Sequence, residues 1–216
     1  MKKIFSVMAI ALLATSLFAK TWTNNVGVGF AVPINGFQVD VSNSSNVGPQ
    51  VSYDLQGLYL GYHENGFTVR GSLDVGVGTV MDKKFWGDEN GIGVNLKEHL
   101  GAGYSFIRSE KFLLALTAGI GLQETIFPRE DTVGSVTTNT TATSLYFSIG
   151  GDLTALVHFS QKFGMYFNLN VGFAPFGKIY YSQETKTGKT TTTSDTNYDL
   201  KSTYTITPSL GFAWTF

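Results

Sequence analysis

Thirteen residues at the carboxyl end, Tyr204 to Phe216, constrain the fold more than any other stretch. Every second side chain there (Tyr204, Ile206, Pro208, Leu210, Phe212, Trp214 and Phe216) is apolar, and most are large. The residues between them, Thr205, Thr207, Ser209, Gly211, Ala213 and Thr215, are small and largely polar. A period of two sets these groups on opposite faces of one extended strand. Half-buried strands of soluble proteins usually run about five or six residues, so this alternation is too long for that setting. It suits a strand with hydrocarbon on one side and a polar interior on the other.

The pattern recurs upstream and predicts eight strands: Val26–Ile34, Val51–Tyr62, Phe67–Met81, Val94–Phe106, Phe112–Ile126, Ser144–Phe159, Met165–Pro175 and Tyr204–Phe216. Two are irregular. In the second, Val51, Tyr53 and Leu55 share one face while Leu58, Leu60 and Tyr62 fall on the other, so a bulge near Gln56–Gly57 is expected. In the fourth, Glu98 points to the lipid face, which predicts a phase shift or a later strand start. Connections alternate in length. Asn35–Gln50, Asp82–Gly93, Pro128–Thr143 and Gly177–Lys201 are long; His63–Gly66, Ile107–Lys111 and Ser160–Gly164 are short. Short periplasmic turns and longer outer loops are the rhythm of a membrane barrel. Phe67, Tyr104, Phe106, Phe112, Phe159, Trp214 and Phe216 gather at the short-turn ends, as an interfacial girdle does. The expected fold is all-β, a transmembrane eight-stranded antiparallel up-and-down β-barrel.

The amino-terminal stretch carries Lys2 and Lys3, an apolar run from Ile4 to Leu13 and small residues up to Ala19. It reads as a cleaved secretory signal peptide over 1–19, leaving 20–216 as the barrel domain. The sequence has no cysteine, which removes disulfides and lipid acylation. A net charge of −1 offers no basic patch for nucleic acid.

A ring of eight strands is just wide enough to be filled by its own side chains or to hold one small ligand. The inward positions include Arg70, Asp74, Lys97, His99, Asp152 and His158. Buried charges need partners. Arg70 is therefore expected to bridge Asp74 or Asp152 and close the lower lumen; the alternative is a polar ion path. Gly76, Gly78, Gly119 and Gly121 leave room toward mid-height, for a small apolar or amphipathic molecule or for Tyr146 and Tyr166.

Catalytic chemistry is not expected. His158-Phe159-Ser160 is similar to the catalytic pair of outer-membrane lipid A deacylases, but Gly172 stands where the acidic partner belongs. The three histidines, His63, His99 and His158, lie on different strands, so neither a metal site nor a cofactor is expected. The Thr-rich segment 182–197 reads as a disordered or hairpin-like solvated loop, or as an adhesive contact for a host surface molecule. In the second long connection, Phe85 and Trp86 are placed to dip into the headgroup region.

With these residues in view, the chain resembles the small outer-membrane barrels of the OmpA/OmpX/OmpW type. Its start, TWTNNVGVGFAVPI, and its Thr/Gly-rich strands look like the OmpW-like set of spirochaete proteins. The resemblance spans nearly all of 20–216 and rests on pattern. It implies the outer membrane as location, lipid as surroundings and a monomer. It also implies the barrel assembly machinery as a partner reading Phe212, Trp214 and Phe216 as an insertion signal. No domain follows the last strand, so anchoring to peptidoglycan is not implied. The resemblance adds a second functional reading, a narrow channel or binding barrel for small hydrophobic molecules.

Overall fold

The computed structural model describes residues 22–39, 47–80 and 92–216. The expected signal peptide, the middle of the first long connection, and residues 82–91 of the second, with Phe85 and Trp86, lie outside these residues.

The described chain is strand throughout: β1 Trp22–Ala31, β2 Ile34–Val39, β3 Val47–His63, β4 Phe67–Val80, β5 Ile92–Arg108, β6 Phe112–Val133, β7 Val136–Ser160, β8 Phe163–Thr187 and β9 Thr190–Thr215. Each pairs antiparallel with its neighbours, and β9 returns to β1, closing the ring. Val32 and Pro33 separate β1 from β2, where proline has no N–H to give a ladder. Both β1 and β2 lie between β3 and β9, so together they form one stave and the barrel has eight. At the closing seam Val28 faces Phe212 and Val26 faces Trp214, and Phe216 N donates to Asn24 O at 3.0 Å.

Side chains sort by the predicted alternation. Val26, Val28 and Phe30, Val75 and Val77, Ile120, Phe167, Val171, Leu210 and Phe212 stand outside, exposed. Inward-facing residues such as Thr68, Arg70, Ser72, Asp74, Thr117, Asn168 and Ser209 are buried. Aromatic rings band the lower end: Phe163 stacks on Phe212 at 5.6 Å, lies 5.5 Å from Trp214, and Trp22 meets Phe67 edge-on at 5.9 Å.

Glycine marks where staves meet most tightly. A Cβ would fall 2.3 Å from Leu210 O at Gly29, 2.1 Å from Tyr53 O at Gly76, 2.0 Å from Leu100 O at Gly119 and 2.5 Å from Val171 O at Gly150. These are alternate seams of the ring (β1/β9, β3/β4, β5/β6 and β7/β8), so any side chain there would hit backbone.

Three expectations are corrected. No bulge interrupts β3 at Gln56–Gly57; it runs in unbroken register with β4 from Gln50 to Tyr62. Leu58 and Leu60 therefore point inward, 4% and 1% exposed, because the barrel's lower lumen is itself apolar. Nor does the phase change at Glu98, which opposes Leu73 and Leu122 and stays on the outer face of a strand that begins earlier, at Ile92. Third, the connections Pro128–Thr143 and Gly177–Lys201 are not irregular loops; of the forms expected for 182–197, the hairpin is the one found. β6 and β7 continue to a two-residue turn at Gly134–Ser135, and β8 and β9 to one at Gly188–Lys189. Gly134 and Gly188, at φ 63° and 60°, supply the left-handed first position of each turn. Pairing between β7 and β8 also reaches the tips, so β6–β9 rise as one four-stranded blade.

Candidate functional site in the lumen

Inside the ring the side chains form three layers. At the end of the short turns, Leu58, Leu60, Leu113, Leu156, Tyr166 and Ala213 make an apolar floor. At the opposite end, Phe127, Ala142, Tyr146, Ala174, Ile179 and Leu200 make an apolar ceiling against one side of the ring. Polar and charged residues fill the space between.

The middle layer is cross-braced. Arg70 on β4 reaches across to Asp152 on β7, Nη1 to Oδ1 at 3.1 Å, with the side chains 1% and 0% exposed. The same nitrogen donates to Ser72 Oγ at 3.3 Å. His99 Nδ1 lies 3.1 Å from Asp152 Oδ2 and 3.3 Å from Arg70 Nη1. Lys97 spans the lumen from β5, donating to Asn170 Oδ1 at 2.9 Å and Thr207 Oγ1 at 2.6 Å. Asp74 opposes Lys97 in the β4–β5 register and accepts from Gln56 Nε2 at 2.8 Å. Of the two partners considered for Arg70, the structure brings up Asp152; Asp74 takes Gln56 instead.

Tyr166 and Tyr146, each 1% exposed, occupy lumen space. Tyr166 hands its hydroxyl to Gln56 Oε1 at 3.1 Å. Its ring lies where Gly27, Gly29 and Gly211 carry no side chain: a Cβ at Gly29 would stand 2.6 Å from the Tyr166 hydroxyl oxygen. Glycine on β1 and β9 is thus the counterpart of a tyrosine on β8.

Sequence reasoning missed Asp54 and Gln56, 1% exposed each. The expected bulge obscured them. Carrying the period from Tyr53 and Leu55 straight on would have turned both inward. His158 sits at the lower rim, its Nε2 3.2 Å from Thr215 Oγ1, and Ser160 Oγ accepts from Lys162 N at 3.4 Å. Neither contact joins the two residues to each other.

Above the membrane band the blade carries its own charges. Lys186 Nζ lies 2.8 Å from Glu184 Oε1, and that hydrogen bond raises the lysine pKa. Ser182 Oγ donates to Asp195 Oδ1 at 2.7 Å. Lower on the same outer face the ladder loosens around Pro175. β7–β8 pairing steps from Ile149/Phe173 to Phe147/Phe176, while β8–β9 pairing is interrupted between Ala174/Thr203 and Lys178/Asp199 without a change of register. A cleft of about 430 Å³ opens there among Leu122, Phe147, Pro175, Phe176 and Tyr180, and it reaches the ceiling residue Tyr146.

No protein-family model matches the chain, and no curated protein does. Among solved structures it is similar to a major outer membrane protein from Thermus thermophilus. That superposition has a TM-score of 0.53 at 14% identity and covers 88% of this chain and 99% of the other. The fold is that of a small outer-membrane β-barrel. A looser superposition is with Ail, the attachment invasion locus protein of Yersinia pestis, at TM-score 0.47 and 14% identity, covering 91% of this chain and 99% of the other. In this barrel an apolar band faces outward and every strand has a hydrogen-bonded neighbour on both sides, which is the condition for strands to cross lipid.

Proposed function

We propose that the barrel works in a bacterial outer membrane as a non-enzymatic, lumen-plugged surface protein, its four-stranded blade being the part that meets other molecules. The observation that carries this reading is the Arg70–Asp152 pair, buried at 3.1 Å between an apolar floor and an apolar ceiling. A permeation path through that layer would have to part the pair, and breaking a buried ion pair costs about 3–5 kcal/mol. On this reading residues 1–19 are removed on export, the assembly machinery reads Phe212, Trp214 and Phe216, and the protein stands in lipid as a monomer.

Single-channel recording of the refolded protein in a planar bilayer tests the plug. The wild type is expected to show no conductance steps, and the Asp74→Ala/Asp152→Ala variant to show openings. Stable steps from the wild type would overturn it.

The cleft beside Pro175 favours a second reading, a binding barrel for small hydrophobic molecules that enter from the lipid side. Its aromatic and aliphatic lining is the kind that takes apolar ligands. Phe176→Asp should then abolish saturable binding of an apolar fluorophore that the wild type retains. Equal binding by both would remove this reading.

A further inference from the structure

Above the Arg70–Asp152 layer, a second cluster of inward side chains is linked by hydrogen bonds and leaves several buried oxygens over. Asn95 Nδ2 donates to Asp54 Oδ2. Asn95 Oδ1 in turn accepts from Gln123 Nε2 at 2.7 Å and from Thr125 Oγ1 at 2.9 Å. Thr125 Oγ1 accepts from Gln50 Nε2 at 2.9 Å. With Asp54 ionised, as a bound cation requires, Asn95 turns its amide nitrogen to the carboxylate and its oxygen away. Gln123 must then donate, the threonine hydrogen is used on Asn95, and Gln50 must donate as well.

What remains is a set of oxygens. Gln123 Oε1 and Gln50 Oε1 are buried and find no hydrogen-bond partner among the described residues, and Asp54 Oδ1 is buried with the Ser52 hydroxyl beside it. Asn35, opposite Gln50 in the β2–β3 register and fully buried, adds its own unpartnered amide. The intervening strand leaves them room. β4 contributes Gly76 and Gly78 at this height: a Cβ at Gly76 would lie 2.5 Å from Asp54 Oδ1, and one at Gly78 3.1 Å from Ser52 Cβ.

We propose that this upper-lumen cluster binds a small hard cation of the calcium class, held by Asp54 Oδ1 with the amide oxygens of Gln50 and Gln123. Hard cations take oxygen ligands only, and calcium accepts carboxylate, amide and hydroxyl oxygens together in irregular geometry with water completing the shell. Water alone is the competing occupant, since it commonly serves buried polar groups. The cluster holds donors as well as acceptors, which water could use; the Asp54 carboxylate beside two unpartnered amide oxygens is the feature that favours a cation. Affinity is governed by the number of charged ligands, so a single carboxylate points to the weak end, on the order of 10⁻⁴ to 10⁻³ M. Such a site leaves no His, Cys or paired-carboxylate spacing in the sequence.

Calorimetric titration of the refolded full-length barrel with CaCl2, and then with MgCl2, tests the site. One calcium per barrel is expected, with magnesium weaker because it gives up water reluctantly and demands near-octahedral geometry. Asp54→Asn keeps the bond from Asn95 and removes the charge; it should weaken calcium binding at least tenfold. Gln50→Met removes an oxygen at similar volume, should also weaken binding, and carries the comparison if Asp54→Asn does not refold. Folding of each variant is read from the mobility difference between heated and unheated samples on a detergent gel. A wild type that binds no calcium overturns the proposal, leaving water as the occupant. Binding undiminished in a folded variant also overturns it, by locating the ion elsewhere, for example on the exposed acids of the blade.

Discussion

Arg70 shows what a single inward side chain contributes in a barrel this narrow. It has no water to retreat to, so its energy depends on Asp152 and on the Ser72 and His99 atoms beside it. Arg70→Met should destabilise the folded barrel by about 3–5 kcal/mol, because Asp152 is left as an uncompensated buried charge. The double variant Arg70→Met/Asp152→Leu should cost markedly less; urea unfolding followed by tryptophan fluorescence checks both. Gly29 is the opposite case, a residue defined by what it lacks. Gly29→Val would drive a side chain into Leu210 O and the Tyr166 hydroxyl, and the heat-resistant folded band should disappear. At this scale the sequence was legible wherever alternation ran unbroken, as for Arg70, Asp74, Lys97 and Asp152. It failed at Asp54 and Gln56 because Leu58 and Leu60 break the rule that large apolar side chains face lipid. A barrel that packs its own floor hides that exception from hydropathy alone.

The blade was the element least visible beforehand. Period-2 patterns appear in a sequence only when the two faces of a strand meet different surroundings. Thr190 to Asn197 meets solvent on both faces and is exposed throughout, so its composition carries no contrast to read. The turn glycines were the available clue: Gly134 and Gly188 each sit at the centre of a Thr-rich segment. Trypsin added to intact cells should cut at Lys186 or Lys189 while the barrel strands stay whole; protection of both would invert the assigned orientation. Replacing Ser182–Asp195 by a short Asn-Gly turn should leave the folded band intact, since the tip touches neither floor nor ceiling. Loss of that band would mean that the blade is needed for the ring.

Across the whole molecule, seven of the eight seams join strands that follow one another in the chain, and only the seam of β9 with β1 and β2 does not. That seam brings together Thr215 and Asn25, 190 residues apart. Every other seam can form by local zipping, hairpin upon hairpin, with little chain entropy lost at each step. Closure alone carries a long-loop cost, about 5 kcal/mol for a flexible chain of that length. Time therefore enters this structure at one place. Topology makes ring closure the step with the largest chain-entropy cost, and Gly29 and Gly211 are what let β1 and β9 approach closely enough to make it.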